Sequence, residues 1–429
     1  MKVCVLGLWH LGSVTAAGLA EAGHQVIGLD FDAATVAGLR AGAAPVFEPG
    51  LGELIERGLS SGRLRFAARL DELEDIDVLW VTYDTPVDDD DNADTNFVMA
   101  QIERALPAMN ADTLLLVSSQ LPVGSMRRLE ETAGVTRRVA CCPENLRLGR
   151  AVNDFLHPER IVVGVRSAQD RQRLHDLLSV IAPSIEWMSM ESAEMTKHAI
   201  NAFLATSVVF ANEIASLCEA VGADAREVER GLKSDGRIGR RAYLSPGSAF
   251  SGGTLARDVA FLNTTSRERG VLTPLLSSVL PSNELHKCWV QRNLQALFDD
   301  LSRTTVAIWG LAYKPGTDTL RRSMAVELCD WMISAGVTVR VHDPMVKELP
   351  RRWTGIVTRC SEPAAAARGA DALVVATEWP LYQAVSPAQL TEGFDDLVVL
   401  DANRFLPALA ADELQRFRYV AVGMPRMDG

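Results

Sequence analysis

The sequence that decides the fold lies at the start of the chain: VCVLGLWHLG, residues 3–12. Four apolar residues precede Gly7, as in a short strand, and the residues after Gly12 are typical of a helix. In a dinucleotide-binding fold the first glycine makes the tight turn, and the last one lets helix and strand pack closely. The helix N-terminus then faces the pyrophosphate. The segment therefore predicts a strand–turn–helix unit at a dinucleotide site.

A downstream acid supports this interpretation, whereas one residue of the turn departs from it. Asp30 closes the second apolar run, at about the 20-residue spacing where an acid binds the ribose hydroxyls, and an acid there favours NAD over NADP. Trp9 takes the middle position, which is normally a glycine that lets the phosphates approach the backbone. Whether the indole stacks on the cofactor, shields it or distorts the site stays open. A strand–helix turn without a cofactor is the plainer alternative.

Composition and charge limit the class of protein. The chain has 429 residues, enough for two or three domains, with 48% hydrophobic and 23% charged residues. A formal net charge of -12 argues against nucleic acid and anionic membranes as partners. The seven cysteines include no CxxC pair, so we expect reduced thiols, a cytoplasmic protein and no metal. The first strand begins at once, which is not typical of a signal peptide.

Short apolar runs alternate with helical patterns along most of the chain. This alternation predicts an α/β protein with two Rossmann-like, doubly wound parallel sheets, joined by a long central helix and a helical middle domain. The expected domains are a dinucleotide-binding domain over 1–188, a helical domain over 189–300 and a second Rossmann-like domain over 301–429. The predicted strands are Val3–Leu6, Gln25–Leu29, Val78–Thr82, Leu114–Ser118, Arg138–Cys141, Ile161–Val165, Thr305–Trp309, Thr338–His342, Ala372–Ala376, Val398–Asp401 and Tyr419–Val422.

The long helix predicted from Glu191 to about Val221 carries polar residues on one face. Glu194, Lys197 and Asn201 share that face, because residues three and four apart are neighbours on a helix. Lys197 and Asn201 interrupt an otherwise apolar stretch, which favours a buried polar site over the alternative of a solvated helix face. Oxidation of an alcohol needs a group that removes the proton and an electropositive place for the oxygen. The helix is therefore a candidate for that chemistry.

The segment AFSGGTLARD, residues 249–258, resembles the active-site signature GFGGxCxPKD of the UDP-glucose/GDP-mannose dehydrogenase family. Other motifs occur in the family's order: PVFEPGL (45–51), TP (85–86), SQLPVG (119–124), CPENL (142–146), DGRIG (235–239) and GLAYKPGTD (310–318). The resemblance implies an NAD-dependent oxidoreductase of nucleotide sugars, with a UDP-sugar as its substrate. It also implies that residues 301–429 bind the UDP part, and that a homodimer forms through the middle helices.

The resemblance further implies roles for individual residues. Lys197 and Asn201 stabilise the developing alkoxide and help to deprotonate the alcohol, while Glu144 and Asp258 act on the proton and on water. The catalytic set is Lys197, Asn201, Glu144, Asp258, Thr254 and Gln120. The cofactor-binding set is Gly7, Trp9, His10, Leu11, Gly12, Asp30, Thr85, Pro86, Ser119 and Arg257. The substrate-binding set is Arg237, Tyr243, Leu244, Phe250, Gly252, Gly253, Lys314 and Arg404.

One departure from the family changes the expected chemistry. The cysteine of the signature forms a covalent thiohemiacetal with the substrate, and this chain has Thr254 at that position. A threonine hydroxyl is a far weaker nucleophile than a thiol near neutral pH. We therefore expect the thiohemiacetal route from aldehyde to acid to be closed. Cys142 is an alternative thiol, although small cysteines mostly serve packing.

Two classes of function stay open. A catalytic protein yields two NADH per substrate if a hydrated aldehyde is oxidised again, one if oxidation stops after one step, and none for an epimerisation through a transient ketone. A non-catalytic nucleotide-sugar or NAD-binding homologue is the alternative, and Trp9, Gln120 and Thr254 favour it. The retained acid–base residues favour catalysis.

Overall fold

The computed structural model describes the chain except for residues 74, 87–92, 134–137, 144–145, 252, 391–395, 412–416 and 426–429, and the side chains of 132–133. The chain forms two compact units, Met1–Ile200 and Asn201–Gly429. Each unit is built around a parallel sheet, the architecture that alternating strands and helices produce.

The first unit contains a sheet whose strands are β1 (Lys2–Leu6), β2 (Gln25–Leu29), β3 (Leu64–Ala67), β4 (Val78–Val81), β5 (Leu114–Val117), β6 (Arg138–Cys141), β7 (Ile161–Gly164) and β8 (Ile185–Met188). The helices are α1 (His10–Glu21), α2 (Ala33–Arg40), α3 (Leu51–Ser60), α4 (Thr95–Ala105), α5 (Ser125–Ala133), α6 (Ala151–Leu156), α7 (Ala168–Leu178) and the first part of α8 (Met190–Val221), with 3-10 turns at Leu70–Glu72 and Leu106–Ala108. The strand order is β3-β2-β1-β4-β5-β6-β7-β8. Neighbouring strands run parallel, except that β6 and β7 are antiparallel.

The strands of this sheet are apolar on both sides because both faces are covered. β4 and β5, VLWV and LLLV, are buried at every position. A strand covered on both faces lacks the polar–apolar alternation of a half-exposed strand. Along β1, Val3 and Val5 belong to one apolar core, whereas Cys4 and Leu6 belong to another. The sheet thus separates two hydrophobic cores.

The second unit begins with helices and ends with another sheet. Its helices are the rest of α8, α9 (Ala225–Ser234), α10 (Gly253–Arg269), α11 (Pro274–Lys287), α12 (Trp289–Leu297), α13 (Met324–Ser334), α14 (Pro363–Ala367), α15 (Pro387–Leu390) and α16 (Pro407–Ala410), with 3-10 turns at Leu301–Arg303, Arg351–Trp353 and Pro380–Ala384. The strands are β9 (Thr305–Trp309), β10 (Thr338–His342), β11 (Thr358–Arg359), β12 (Ala372–Val375), β13 (Leu397–Leu400) and β14 (Phe417–Val420). They form a parallel sheet of order β11-β10-β9-β12-β13-β14.

The predicted fold class is confirmed, with two Rossmann-like parallel sheets and a helical middle region. Most predicted strands agree with the structure to within a residue or two at each end. Strands β3, β8 and β11 were not predicted from the sequence, and all three lie at an edge of their sheet. An edge strand has a neighbour on one side alone, so its residues are less uniformly apolar; β11 is exposed at both positions.

Helix α8 is long and apolar enough, by length and composition, to cross a membrane. It carries buried polar residues, however, that are paired within the protein. The Glu194 carboxylate accepts the N–H groups of Gly124 and Met126, and the Asn201 amide donates to Asp258. Buried polar groups with protein partners are typical of a core helix in a globular protein. The helix passes from the first unit to the second.

Candidate active site

The turn after β1 has the backbone geometry that a dinucleotide site requires. Gly7 has a φ of 93°, a left-handed conformation that favours glycine, and its N–H donates to the Leu29 carbonyl at 2.9 Å. A Cβ on Gly12 would collide with the carbonyl oxygen of Gly7, so only glycine fits there. The N-terminus of α1 is thereby held against the end of the strand, an arrangement that suits a phosphate group.

The carboxylate of Asp30 is held at the same turn. One of its oxygens accepts the Leu8 N–H at 2.7 Å, and the other accepts the Asp32 N–H at 2.9 Å. The side chain is only partly buried. Because a carboxylate offers about four acceptor positions, Asp30 retains acceptor capacity for hydroxyl groups. The turn and the acid thus fit the adenosine half of a dinucleotide.

Trp9 and Leu11 lie in different environments, one at the surface and the other in the core. Trp9 precedes α1 with a φ of -72°, outside the left-handed region that favours glycine, and 51% of its surface is exposed. Leu11 is buried in the core. The indole therefore lies at the surface beside the predicted cofactor site and does not replace a glycine that the backbone conformation requires.

His10 is joined to a motif whose purpose the sequence left unassigned. Its Nε2 lies 2.8 Å from a carboxylate oxygen of Glu48, in the PVFEPGL segment. Glu48 is buried and also accepts the N–H groups of Gly149 and Ala151, both at 2.8 Å. The carboxylate thus ties the start of α1 to the start of α6. In the sequence, this structural role of Glu48 could have been found from the position of an acid inside a Pro- and Gly-rich loop.

The loops that follow β4 and β5 are tied together near the same sheet edge. The Thr85 hydroxyl donates to the Gln120 carbonyl oxygen at 2.5 Å. Thr85 is buried, Pro86 is exposed, and Ser119 and Gln120 are partly buried. This places the predicted cofactor residues Thr85 and Ser119 close to the predicted catalytic residue Gln120.

A small cavity in the first unit contains the lysine of the polar helix face. It measures about 30 Å³, enough for one or two water molecules. Its lining residues are Val117, Ser118, Ser119, Gln120, Leu121, Met126, Cys141, Pro143, Glu194, Lys197 and His198. Lys197 is 9% exposed. The structure therefore brings Lys197 of the long helix together with Ser119 and Gln120 of the SQLPVG motif, residues predicted from two separate parts of the sequence.

Two neighbours of Lys197 in this cavity have structural contacts. The Glu194 carboxylate accepts the N–H groups of Gly124 and Met126 at 2.8 and 3.0 Å, which caps the N-terminus of α5. Burial raises the pKa of Glu194 above its ordinary value, although these two hydrogen bonds oppose the rise. The His198 Nε2 lies 3.0 Å from the Leu121 carbonyl oxygen. Both contacts fix the loop and helix that line the cavity.

The cysteines near this cavity do not provide a nucleophile. Burial raises the pKa of Cys141 well above its ordinary value, so the thiol stays protonated. Cys142, the alternative thiol suggested by the sequence, is buried in an apolar core. Glu144 of the predicted catalytic set lies outside the described residues, and so does Gly252 of the substrate-binding set.

In the second unit, a buried polar pair joins α8 to α10. The Asn201 amide nitrogen donates to a carboxylate oxygen of Asp258. Both side chains are buried, Asp258 completely. The contact orients the amide of Asn201 and stabilises the carboxylate. Two residues predicted to be catalytic are thus in direct contact.

Thr254, which the sequence predicts at the position of the family's cysteine, lies in the first turn of α10. Thr254 is exposed, and Gly253, before it, begins the helix. Arg257 follows three residues later and is buried. A Cβ on Gly253 would collide with the guanidinium of Arg322, which lies in the loop before α13. Arg322, missed in the sequence, therefore contacts the predicted site beside Thr254.

The segment before α10 is held by side-chain amides from distant parts of the second unit. Asn283 receives the Phe250 N–H on its oxygen and donates to the Phe250 carbonyl, both at 3.0 Å. The Asn212 and Asn403 oxygens accept the N–H groups of Gly247 and Ser248 at 2.9 and 2.7 Å. These buried or half-buried amides position the loop that leads to Thr254. Sequence reasoning missed them because single asparagines carry no distinctive spacing.

The remaining residues of the substrate-binding set are dispersed. Arg237 is exposed and pairs locally with Asp235, at 3.0 and 2.7 Å. Tyr243 is exposed, whereas Leu244 and Lys314 are partly buried. Arg404 makes a two-point ion pair with Asp224, at 3.0 and 2.9 Å. Its guanidinium therefore has a structural partner in the second unit, and a role toward diphosphate stays a prediction.

Comparison with known protein families gives a match over most of the chain. Three models of the UDP-glucose/GDP-mannose dehydrogenase family match it: the NAD binding domain at residues 1–181, the central domain at 191–285 and the UDP binding domain at 307–408.

Individual relatives match over nearly their whole lengths. The chain is 36% identical to a UDP-glucose 6-dehydrogenase of Pseudomonas aeruginosa, over 99% of this chain and 98% of that one. It is 32% identical to a UDP-glucose 6-dehydrogenase of Rhizobium meliloti, over 99% and 100% of the two chains. Among solved structures, a UDP-glucose dehydrogenase from Pyrobaculum islandicum matches with a TM-score of 0.85 and 31% identity, covering 99% of this chain and 98% of that one.

Proposed function

The chain belongs to the UDP-glucose/GDP-mannose dehydrogenase family and is an NAD-dependent oxidoreductase of nucleotide sugars; from this premise we propose that it oxidises a CH–OH group of a UDP-linked sugar without a cysteine thiohemiacetal. The match of the UDP binding domain and the names of the relatives support a UDP-sugar. The observation that carries the proposal is the buried Lys197 beside Gln120 and Ser119, in the same unit as the turn of Gly7, Gly12 and Asp30.

The first unit fits NAD by its own geometry. A Cβ on Gly12 would collide with the Gly7 carbonyl oxygen, so this glycine lets α1 begin close to the end of the strand, and Asp30 is fixed by the Leu8 N–H with acceptor capacity remaining. We assign Gly7, Gly12 and Asp30 to NAD, with Thr85, Ser119 and the surface indole of Trp9 nearby. NAD, when bound, supplies the acceptor for the hydride of the substrate.

Lys197 and the Asn201–Asp258 pair occupy successive turns of one helix. A buried ammonium group stabilises negative charge on an oxygen more strongly than an exposed one, since water screens it less. We propose that Lys197 stabilises the alkoxide that develops as the alcohol loses its proton. The Asp258 carboxylate holds the Asn201 amide in one orientation, so that the amide's other polar groups are presented in a fixed direction.

The replacement of the thiol at residue 254 limits the chemistry that is possible after the first oxidation. Thr254 is exposed at the start of α10, and its hydroxyl is a weak nucleophile. The buried thiols of Cys141 and Cys142 offer no replacement. We therefore propose that a covalent thioester does not form. The product then results from a single oxidation, from oxidation of a hydrated aldehyde, or from return of the electrons to the substrate.

We also propose that the protein is a cytoplasmic homodimer of three domains, 1–188, 189–300 and 301–429. The family-model boundaries support this division. In the second unit, α8 exposes Phe203, Phe210 and Leu217, seven residues apart and therefore on one face, at 68%, 45% and 61%. Such an apolar stripe supports burial against a second copy. Phe203→Asp combined with Leu217→Asp is expected to give monomers in sedimentation equilibrium.

The proposal is tested by counting NADH and weighing the products over a panel of nucleotide sugars. Lys197→Met is expected to lower kcat at least about a hundredfold, because the charge that stabilises the alkoxide is removed. Lys347→Met, which removes an exposed lysine, serves as the matched control. Equal activity of the Lys197 variant and the control contradicts the role of Lys197.

The thiol-free route is tested by Thr254→Cys. If the thiol is what the chain lacks, this variant forms more acid and approaches two NADH per substrate. An unchanged product profile contradicts this account. Tight binding of NAD and UDP-sugars without turnover on any member of the panel identifies a non-catalytic homologue instead.

A further inference from the structure

The first residue of α1 is a histidine that is tied to a buried acid. The Nε2 atom of His10 lies 2.8 Å from a carboxylate oxygen of Glu48, and the two side chains are 15% and 0% exposed. That oxygen also accepts the Gly149 N–H, and the other oxygen accepts the Ala151 N–H, both at 2.8 Å. Since each carboxylate oxygen is already an acceptor, the hydrogen of the His10–Glu48 contact lies on Nε2.

The other ring nitrogen of His10, Nδ1, therefore decides the charge of the side chain. Without a hydrogen on Nδ1 the imidazole is neutral, and this atom offers a lone pair; with a hydrogen the ring is a cation and offers a donor. Histidine is the side chain that changes between such forms near neutral pH. The buried carboxylate of Glu48 favours the cation, because little water separates the two groups.

The N-terminus of α1 acts on the same ring in the opposite direction. A helix N-terminus carries a partial positive charge, which disfavours a cation in the first turn. Glu48 and the helix thus have opposing effects on the charge of His10. A phosphate bound at the helix N-terminus changes this balance, because its negative charge offsets the positive end of the helix.

Other charged groups lie on the elements around the start of α1. Helix α1 packs against α3, α6 and β3, and the acid that follows β2 bonds to the turn before it. The charged residues of these elements are Asp30, Glu53, Glu56, Arg57, Arg65, Arg150 and Asp154. Arg57 pairs with Glu21 at the far end of α1, and Arg147 pairs with Asp154. Within the described part of the chain, the one charged group in contact with the imidazole is the carboxylate at 2.8 Å.

We infer that His10 is a cofactor-binding residue that takes up a proton when NAD binds, with Glu48 as the residue that holds its ring. The inference rests on the proposed function, because that function places NAD at the turn of Gly7 and Gly12, where α1 begins. The proton comes from solvent and adds to Nδ1, so no bond of NAD forms or breaks. A binding step that takes up a proton becomes weaker as the pH rises, because the proton concentration falls.

The test is a calorimetric titration of NAD into the protein, without any sugar. It is carried out at pH 7 in two buffers of different ionisation enthalpy, PIPES and Tris, because proton uptake makes the measured enthalpy depend on the buffer. We expect the enthalpies to show net proton uptake. We also expect a Kd for NAD about tenfold higher at pH 8 than at pH 6, the size of one charge-assisted contact.

His10→Gln separates the charge from the hydrogen bond. A glutamine amide donates to Glu48 from nearly the position of Nε2, so the melting temperature is expected to stay close to that of the parent. Because the amide does not titrate, the binding enthalpy is expected to be the same in both buffers. The Kd for NAD is expected to be equal at pH 6 and pH 8, and about tenfold above that of the parent at pH 6.

His175→Gln is the matched control. It removes a histidine of the same unit that also lies near an acid, since the Nδ1 atom of His175 is 3.8 Å from a carboxylate oxygen of Asp176. This histidine belongs to α7 and is exposed. The control is expected to keep the proton uptake and the pH dependence of the parent.

The outcomes distinguish the inference from the proposed function. Binding of NAD with an enthalpy that does not depend on the buffer overturns the inference and leaves the proposed function in place. Proton uptake that persists in His10→Gln also overturns the inference, because the proton then binds to another group. Absence of NAD binding at every pH overturns both the inference and the assignment of NAD to this turn.

Discussion

The turn at Gly7 in the first unit and the turn at Gly310 in the second are built on the same plan. Both glycines have left-handed backbones, with φ of 93° and 90°, and both N–H groups donate to the residue that ends the next strand, Leu29 and His342. In each unit an aspartate follows that strand, and its carboxylate accepts N–H groups of the turn.

The two aspartates differ in how fully they are bonded. Asp30 accepts two N–H groups and is partly exposed. Asp343 is 3% exposed and accepts five donors at 2.7 to 3.1 Å: the N–H groups of Leu311, Ala312, Met345 and Val346, and the Trp379 indole. A carboxylate with all positions used has none left for a ligand. The same residue type thus keeps acceptor positions for the proposed cofactor at one turn and is fully used within the fold at the other.

The connection to the next helix differs as well. In the first unit α1 begins at His10, three residues after the glycine, whereas in the second unit α13 begins at Met324. The intervening loop carries Lys314 and Arg322, so the glycine turn of the second unit does not lead directly into a helix N-terminus. The two turns share one plan and differ in the element that follows them.

The largest expected effect is on folding, from Asp343→Ala. The change leaves five donors without their acceptor, four of them in buried residues, and each buried unsatisfied group is costly. We expect a loss of about 3–5 kcal/mol in the free energy of unfolding, measured in urea, against less than about 1 kcal/mol for Asp30→Ala. Similar losses in the two variants would remove the contrast between the two aspartates.

The next effect is on the first turn itself, from Gly12→Ala. The added methyl group meets the Gly7 carbonyl oxygen, so α1 must move, at a cost of about 1–3 kcal/mol. NAD affinity, measured by calorimetry, is expected to fall at least about tenfold, since the phosphate site is displaced. Gly52→Ala provides the matched control, because Gly52 lies in α3 with open space around it. Unchanged NAD binding in Gly12→Ala places the cofactor elsewhere.

A smaller effect is expected for Asp30→Ala on the cofactor alone. Loss of charge-assisted bonds to the ribose should raise the Kd for NAD about tenfold, with the melting temperature nearly unchanged. The same calorimetric titration of a folded Asp343 variant, such as Asp343→Asn, should give the NAD affinity of the parent protein. If NAD affinity instead falls in the Asp343 variant and not in Asp30→Ala, the cofactor is assigned to the second unit.

The smallest effect is a pH dependence of stability from Asp343. Burial by itself raises the pKa of this group, but the backbone hydrogen bonds prevail, and the pKa lies below its ordinary value. A lowered folded-state pKa gives stability that is present above the unfolded value, about 3.9, and is lost as pH falls through the folded one. Urea unfolding from pH 6 to pH 3 should show this loss in the parent and a flatter profile in Asp343→Asn. Identical slopes would mean that other carboxylates carry the effect.

Much of the fold follows from local patterns of sequence. The turn at Gly7 and Gly12 and the apolar strands were predicted because periodicity and glycine position act over a few residues. The edge strands β8 and β11 were missed because their residues are partly or fully exposed and leave a weak apolar pattern, whereas β3 was missed although three of its four residues are buried. At the site, the proximity of Lys197 to Gln120 and Ser119 could not be predicted from local patterns, since Lys197 lies on α8 and the other two lie in the loop after β5.

Motif and periodicity were thus sufficient to predict two parallel sheets and the strand–turn–helix unit at Gly7 and Gly12. Only the folded chain revealed which acid keeps free acceptor positions, Asp30, and which has none, Asp343. It also revealed that Arg322 packs on Gly253. The reason is that the hydrogen-bonding capacity of a side chain depends on partners from distant parts of the chain, whereas the strand or helix that carries it depends mainly on its neighbours in sequence.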